Sequence, residues 1–139
     1  MNEPGVFLLD TCAMIQIAGP APLQANTAQT VEQAARSGRL RISPISAWEI
    51  GMAVARGRIN TTLTALRYFN TFVERTGSQL CALEPEVFTQ SISLPGQFHK
   101  DPMDRILVAT ARQYGFTLVT SDRAILAYGA EGHVKTLAC

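Results

Sequence analysis

Hydrophobic residues along the chain alternate between short unbroken runs and longer stretches with helical spacing. The short runs predict strands at residues 6–9, 40–42, 80–83, 116–119 and 134–137. The longer stretches predict helices at residues 11–17, 26–36, 46–55, 61–75, 84–91, 101–114 and 122–127. Strands that alternate with helices indicate an α/β fold with a short, mostly parallel central sheet flanked by helices. No repeat or linker divides the chain, so residues 1–139 are expected to form a single domain.

Composition narrows the class of protein. Apolar residues make up 47% of the chain and charged residues 17%, which is typical of a globular protein. No apolar run approaches the roughly 20 residues of a membrane span, and the first five residues lack the features of a signal peptide. The odd number of cysteines, without metal-type spacing, predicts free thiols in a reducing compartment. A cytoplasmic protein without membrane association is therefore expected.

Acidic residues stand where strands or loops become helices. Asp10 and Asp122 follow the first and fourth predicted strands, and Asp101 and Asp104 open a long helix. Glu49 lies in the first turn of the helix after the second strand. Since parallel strands end at one edge of a sheet, Asp10, Glu49, Asp104 and Asp122 are expected to converge there. Two carboxylates ~4 Å apart repel by about 4 kcal/mol at a dielectric of about 20, so such a cluster calls for a cation, and oxygen ligands select Mg²⁺ or Mn²⁺.

Helix capping is the simpler explanation for most of these acids. Glu49 ends a capping-box pattern that begins at Ser46, and Asp101 before a proline is a good N-cap. Asp122 is placed to cap the helix after it. Asp10 is the hardest to explain this way, because a carboxylate that ends a buried strand needs a partner. The joint pattern of all four acids favours a metal site.

Charge and nucleophiles leave alternatives open. Without the four aspartates, 12 Lys and Arg residues stand against 7 acids, and ten of the 12 are Arg. This excess either contacts nucleic acid or only keeps the protein soluble. Lys100, Arg105 and Arg123 adjoin the acids and are candidates for holding phosphates. Cys12 closely follows Asp10, but no histidine is near it in the sequence to activate its thiol. A buried packing residue is therefore favoured over a nucleophile.

Four short motifs together resemble the PIN domain, and above all its VapC-like toxins of type II toxin–antitoxin systems. They are Leu8-Leu9-Asp10-Thr11, Ser46-Ala47-Trp48-Glu49-Ile50, Asp101-Pro102-Met103-Asp104-Arg105-Ile106-Leu107-Val108-Ala109-Thr110-Ala111 and Leu118-Val119-Thr120-Ser121-Asp122. The resemblance implies a three-layer PIN-like fold and an endoribonuclease that depends on Mg²⁺ or Mn²⁺. No acid of the family pattern is missing.

The resemblance also implies roles for individual residues. It makes Asp10, Glu49, Asp104 and Asp122 the catalytic, metal-binding acids. Asp101 is then mainly the cap that orients Asp104. The hydroxyl groups expected to support the site are those of Thr11, Ser46, Thr120 and Ser121.

Partners follow from the resemblance as well. They are an antitoxin protein, an RNA substrate and a second copy of the chain in a homodimer. The apolar helices over residues 46–75 are either core or the surface for dimerisation and the antitoxin, and Trp48 shares that ambiguity. His99 is either a substrate contact or a surface loop residue.

Other functions compete with the toxin. The chain could be a stand-alone PIN-type nuclease of RNA processing, or a module that binds RNA or a partner without chemistry. The complete acid set argues against the module. A phosphatase of the haloacid-dehalogenase type would use Asp10 as nucleophile, but it needs an aspartate at the position of Cys12.

Overall fold

The computed structural model describes residues 5–139. Most of the N-terminal segment on which the expectation of no signal peptide rests lies outside these residues. The elements follow in the order β1 (Phe7–Leu9), α1 (Thr11–Ala18), α2 (Ala25–Arg36), β2 (Leu40–Ile42), α3 (Ile45–Ala55), α4 (Ala65–Thr76), β3 (Gln79–Leu80), α5 (Pro85–Ile92), α6 (Pro102–Tyr114), β4 (Thr117–Thr120), α7 (Arg123–Ala130) and β5 (Lys135–Ala138). Within residues 5–139, no helix is both long enough and apolar enough to cross a membrane.

The five strands form one sheet in the order β3-β2-β1-β4-β5, and every neighbouring pair is parallel. Strand β1 lies at the centre. Phe7 pairs with Leu40 of β2 on one side and with Thr117 of β4 on the other. The chain therefore builds the sheet outward from β1 in one direction, then crosses over and builds it in the other. This confirms the expected α/β fold.

Helices cover both faces of the sheet. Successive side chains of a strand point to opposite faces, and Leu8 and Leu9 of β1 accordingly enter different cores. Leu8 packs in the core of helices α5, α6 and α7, with Leu107 among its members. Leu9 packs in the core of helices α1 to α4, with Phe72 among its members. The result is the three-layer arrangement that the sequence predicts.

Several element boundaries differ from the prediction, and those of α4 and β3 are two of them. Helix α4 begins at Ala65, not at residue 61, because the side chain of Thr64 accepts a hydrogen bond from Arg67 N and caps the helix there. Leu63 therefore precedes the helix and is exposed, and Leu66 lies on its outer face. Strand β3 covers only residues 79–80 and not 80–83, since the chain soon leaves the sheet edge to start α5 at Pro85.

Candidate metal centre

The carboxyl ends of β2, β1 and β4 meet at one edge of the sheet. The helix after β1 covers one face of the sheet, and the helix after β4 covers the other. A crevice therefore lies between the carboxyl ends of these two neighbouring strands. Asp10 directly follows β1, and Asp122 lies two residues after Thr120 at the end of β4. Glu49 faces the crevice from α3, and Asp104 reaches it from the first turn of α6.

Asp10 is buried, with only 4% of its surface exposed, and both of its carboxylate oxygens are held. Oδ1 accepts a hydrogen bond from Ala13 N at 2.7 Å, which also makes Asp10 the N-cap of α1. Oδ2 accepts one from the hydroxyl of Thr120. The same hydroxyl accepts a bond from Asp122 N at 2.9 Å. The Thr120 hydroxyl thus bridges two of the acids and fixes the orientation of Asp10.

Glu49 is held from the neighbouring helix. The hydroxyl of Thr11 lies 2.6 Å from Glu49 Oε1 and 2.9 Å from the hydroxyl of Ser46. Because α3 begins at Ile45, Ser46 lies inside the helix, and its N–H bonds the carbonyl of Ser43. The capping-box explanation of Glu49 is therefore wrong. Its carboxylate is directed to the crevice by the side chain of Thr11.

Asp104 belongs to a compact group of three potential metal ligands. Its Oδ2 lies 3.2 Å from Nε2 of His99. One ligand atom each from His99, Asp104 and Asp122 all lie within 4.8 Å of one another. Sequence reasoning left His99 open, because a single histidine two residues before Asp101 has no local pattern that marks it.

Two capping roles predicted from the sequence are confirmed. Asp101 Oδ1 accepts bonds from Met103 N at 2.9 Å and from Asp104 N at 3.5 Å, so it begins α6 and holds the backbone of Asp104. Asp122 Oδ1 accepts a bond from Ile125 N at 3.0 Å and begins α7. Capping and proximity to the other acids therefore coexist at Asp122.

The acids repel one another in the absence of a cation. Burial, and then the neighbouring acids Asp101, Asp122, Glu49 and Asp10, raise the pKa of Asp104 to about 7. Burial is also the main reason that the pKa of Asp10 rises to about 6, and that the pKa of Glu49 is raised. Within residues 5–139 no Lys or Arg forms an ion pair with any of them. An oxygen-rich cluster of this kind fits a divalent metal ion, whose binding displaces protons.

Two residues next to the acids differ from the expectation, Ser121 in its contacts and Cys12 in its exposure. Ser121 is exposed and makes no hydrogen bond to the acids within the described residues. Cys12 is exposed and not a buried packing residue. Partial burial of its sulfur and the surrounding carboxylates raise the pKa of its thiol to about 11, which argues against a nucleophilic role. All three cysteines are free, as predicted.

Arg105 anchors a loop next to the site. Its guanidinium donates to the carbonyls of Ser91 at 2.6 Å, Phe98 at 3.1 Å, and His99 and Ile92 at 3.2 Å each. These bonds use four of its five N–H groups. The expected phosphate contact of Arg105 stays a prediction, but the geometry favours a structural role. Lys100 and Arg123 are exposed beside the acids, and for them the prediction stands.

A cleft of about 660 Å³ runs from the acids along α3. Glu49 and Asp101 line its inner part, Met103 contributes an apolar wall, and Arg56 and Arg58 line it beyond the end of α3. Within residues 5–139 neither arginine forms an ion pair. Neither arginine was predicted from the sequence. Their spacing of seven and nine residues from Glu49 could have indicated them, because it places them at and just beyond the end of the same helix.

The outer surface of α3 and α4 carries exposed apolar side chains. Trp48 is 60% exposed and Leu66 is 66% exposed. Ile50, Phe69 and Phe72 of the same helices are buried. The apolar residues of this region therefore serve both as core and as accessible surface, and Trp48 belongs to the surface.

Comparisons with known proteins agree with the fold. The sequence model of the PIN domain matches residues 7–131. The chain is 30% identical over 108 residues to Ribonuclease VapC22 of Mycobacterium tuberculosis, an alignment that covers 78% of this chain and 79% of that protein. The crystal structure of VapBC2 from Rickettsia felis, bound to a DNA fragment from their promoter, superimposes with a TM-score of 0.71 at 14% identity over 96% of this chain and 98% of the other. FitAcB from Neisseria gonorrhoeae gives a TM-score of 0.65 at 20% identity over 95% and 96%.

Proposed function

Because this chain belongs to the PIN domain family, we propose that it is the ribonuclease toxin of a type II toxin–antitoxin pair, and that it hydrolyses RNA phosphodiesters with Mg²⁺ or Mn²⁺. The observation that carries the proposal is the convergence of Asp10, Glu49, Asp104 and Asp122 on one crevice, where no Lys or Arg of residues 5–139 is paired with them. Residues 1–139 act as one nuclease domain. A cytoplasmic location, which suits the three free thiols, belongs to the same proposal.

Each side chain has a defined task in this reaction. The four acids hold one or two ions, directly or through water, and a bound ion supplies Lewis acidity that activates water and stabilises the leaving oxygen. The hydroxyls of Thr11 and Thr120 keep Glu49 and Asp10 turned toward the ion. The exposed Lys100 and Arg123 hold the phosphates of the RNA.

The exposed face of α3 and α4 is proposed to bind the antitoxin and a second copy of the chain. Trp48, Leu63 and Leu66 supply large apolar side chains there. Aromatic and aliphatic anchors of this kind dominate protein interfaces. The proposal also draws on VapC22 and on a structural neighbour that is a toxin–antitoxin complex from Klebsiella pneumoniae.

Metal-dependent cleavage of RNA tests the function. We expect purified protein to fragment total RNA when Mg²⁺ or Mn²⁺ is present, and to stop when EDTA is added and resume when the metal is restored. Expression should inhibit growth, and co-expression of the proposed antitoxin should relieve that inhibition. Binding of RNA without cleavage at any metal concentration would establish the binding module instead. Cleavage with no protein that relieves it would favour a stand-alone nuclease.

Arg56 and Arg58 are expected to bind the RNA that lies in the cleft. Replacing both with glutamine should raise KM for a short RNA on the order of 10-fold, at about 0.7 kcal/mol for each exposed contact, and leave kcat nearly unchanged. The slope of log KM against log salt should fall by about 1.4, since each lost phosphate contact to a single strand removes roughly 0.7. Steady-state kinetics at several salt concentrations measure both.

The matched control is the pair Arg67→Gln and Arg75→Gln, which removes two exposed arginines of α4 that do not line this cleft. This control should leave KM and its salt dependence close to those of the unmodified protein. Equal losses in the two double variants would mean that the arginines act only through net charge. The cleft would then have no part in binding RNA.

A further inference from the structure

His99 is held in one ring orientation by the contacts of its two ring nitrogens. The backbone N–H of Asp101 lies 3.2 Å from Nδ1 of His99, and an N–H can only donate, so Nδ1 carries the lone pair. In the neutral ring the proton is then on Nε2, which lies 3.2 Å from Oδ2 of Asp104. His99 therefore donates to Asp104. Its Nε2 has no lone pair left for a metal ion in this arrangement.

The loop that carries His99 is itself fixed. Arg105 bonds the carbonyls of Phe98 and His99 from α6. The ring of Phe98 lies 4.3 Å from the ring of His99 and 4.8 Å from that of Tyr128, centroid to centroid. The hydroxyl of Tyr128 in α7 bonds the carbonyl of Pro95 in the same loop. Contacts from two helices therefore hold the loop, and with it His99, in place.

From this geometry we propose that His99 is a positioning residue. It holds Oδ2 of Asp104 through its Nε2–H, so that Oδ1 would be the atom left to hold a metal ion. Asp104 is thereby fixed at both ends, because Asp101 holds its backbone N–H and His99 holds its carboxylate. The inference rests on the proposed metal-dependent function, and it gives His99 neither contact with the RNA nor a place among the ligands. Partners that orient ligands in this way typically contribute 10- to 100-fold to metal affinity.

The test compares His99→Ala with His99→Gln by titrating Mn²⁺ into the protein without RNA, using calorimetry. Alanine removes the donor, and the Kd for Mn²⁺ should rise roughly 10- to 100-fold. Glutamine offers an N–H at a similar reach, and Kd should stay within about threefold of the unmodified protein. In RNA cleavage, alanine should raise the metal concentration needed for half-maximal rate, and saturating metal should restore most of kcat. Melting temperatures check that both variants fold.

Other outcomes would overturn the inference. If both variants lose metal affinity and the preference for Mn²⁺ over Mg²⁺ falls, His99 is a ligand. If neither variant changes Kd, His99 is a surface loop residue, and if only KM for RNA rises, it contacts the substrate. Failure of the proposed function looks different, since the unmodified protein would then fail to cleave RNA in any metal.

Discussion

Replacing Asp104 with asparagine is expected to reduce Mg²⁺-dependent RNA cleavage by roughly 1,000-fold or more. Asparagine keeps the size of the side chain but removes the charge that opposes the cation. A loss of about 4 kcal/mol of transition-state stabilisation, which is within what a catalytic metal supplies, corresponds to this factor. Initial rates on a labelled RNA under saturating metal measure it, and inhibition of growth should disappear in parallel.

The variant should fold at least as well as the unmodified protein. The pKa of Asp104 is raised to about 7, mainly by burial and then by neighbouring acids, so the ionised form destabilises the metal-free protein. A raised carboxyl pKa gives stability that is present at low pH and lost as pH rises through 7. Metal-free Asp104→Asn should therefore melt higher than the unmodified protein at pH 8, and the difference should shrink at pH 5.

Asp101→Asn is the matched control for Asp104→Asn. Asp101 lies three residues away and caps the same helix, and asparagine caps about as well as aspartate. Because the cap of α6 is kept, and with it the position of Asp104, cleavage by this variant should stay within about threefold of that of the unmodified protein. If Asp101→Asn were as inactive as Asp104→Asn, Asp101 would be a ligand and not the cap that aims its neighbour. Normal cleavage by Asp104→Asn would refute the metal centre itself.

Replacing Arg105 with alanine is expected to destabilise the protein by about 3 kcal/mol, which lowers the melting temperature by about 10 °C. The half-buried guanidinium donates four hydrogen bonds to backbone carbonyls on both sides of one loop, and alanine leaves these carbonyls without their partner. Lysine should rescue little, because an ammonium group cannot present donors in the planar fork that reaches four carbonyls. Thermal and urea unfolding of the metal-free protein measure the loss.

Arg123→Ala is the control for this experiment. Arg123 is exposed at the start of α7, and its removal should change stability by no more than about 0.5 kcal/mol. If Arg105→Ala instead melts normally and raises only KM for RNA, Arg105 holds a phosphate as its position in the sequence suggested. Its carbonyl contacts would then contribute little to the fold.

The layers of the fold could be predicted because they depend on local periodicity. Leu8 and Leu9 in a short apolar run, and helical spacing over residues 101–114, were enough for a parallel sheet covered on both faces. Boundaries were harder, since the start of α4 depends on the side-chain cap of Thr64 and not on hydrophobic spacing. Spacing alone left open whether Leu66 belongs to the core or to a partner surface, and the structure exposes it.

The candidate site was predictable in its acids but not in their supports. Asp10, Glu49 and Asp122 were visible because each follows a strand or opens a helix. The contacts that orient them join distant parts of the chain, such as the hydroxyl of Thr120 on Asp10, 110 residues away. His99 was left open because it looks like any loop histidine, and Arg105 was taken as a phosphate contact because it looks like any basic residue near acids. Only the folded loop shows which groups they reach.

The side chains that cap helices α1, α6 and α7 are Asp10, Asp101 and Asp122, so two of the proposed ligands also start helices. Because of these two roles, the type of substitution decides whether an inactivated protein still folds. Asparagine or serine at Asp10 or Asp122 removes the ligand charge and still caps, whereas alanine also loses about 1 kcal/mol of helix stability. Survivors selected for inactive alleles should therefore be rich in Asp→Asn changes. Such alleles would keep producing a folded, harmless protein that still occupies the antitoxin.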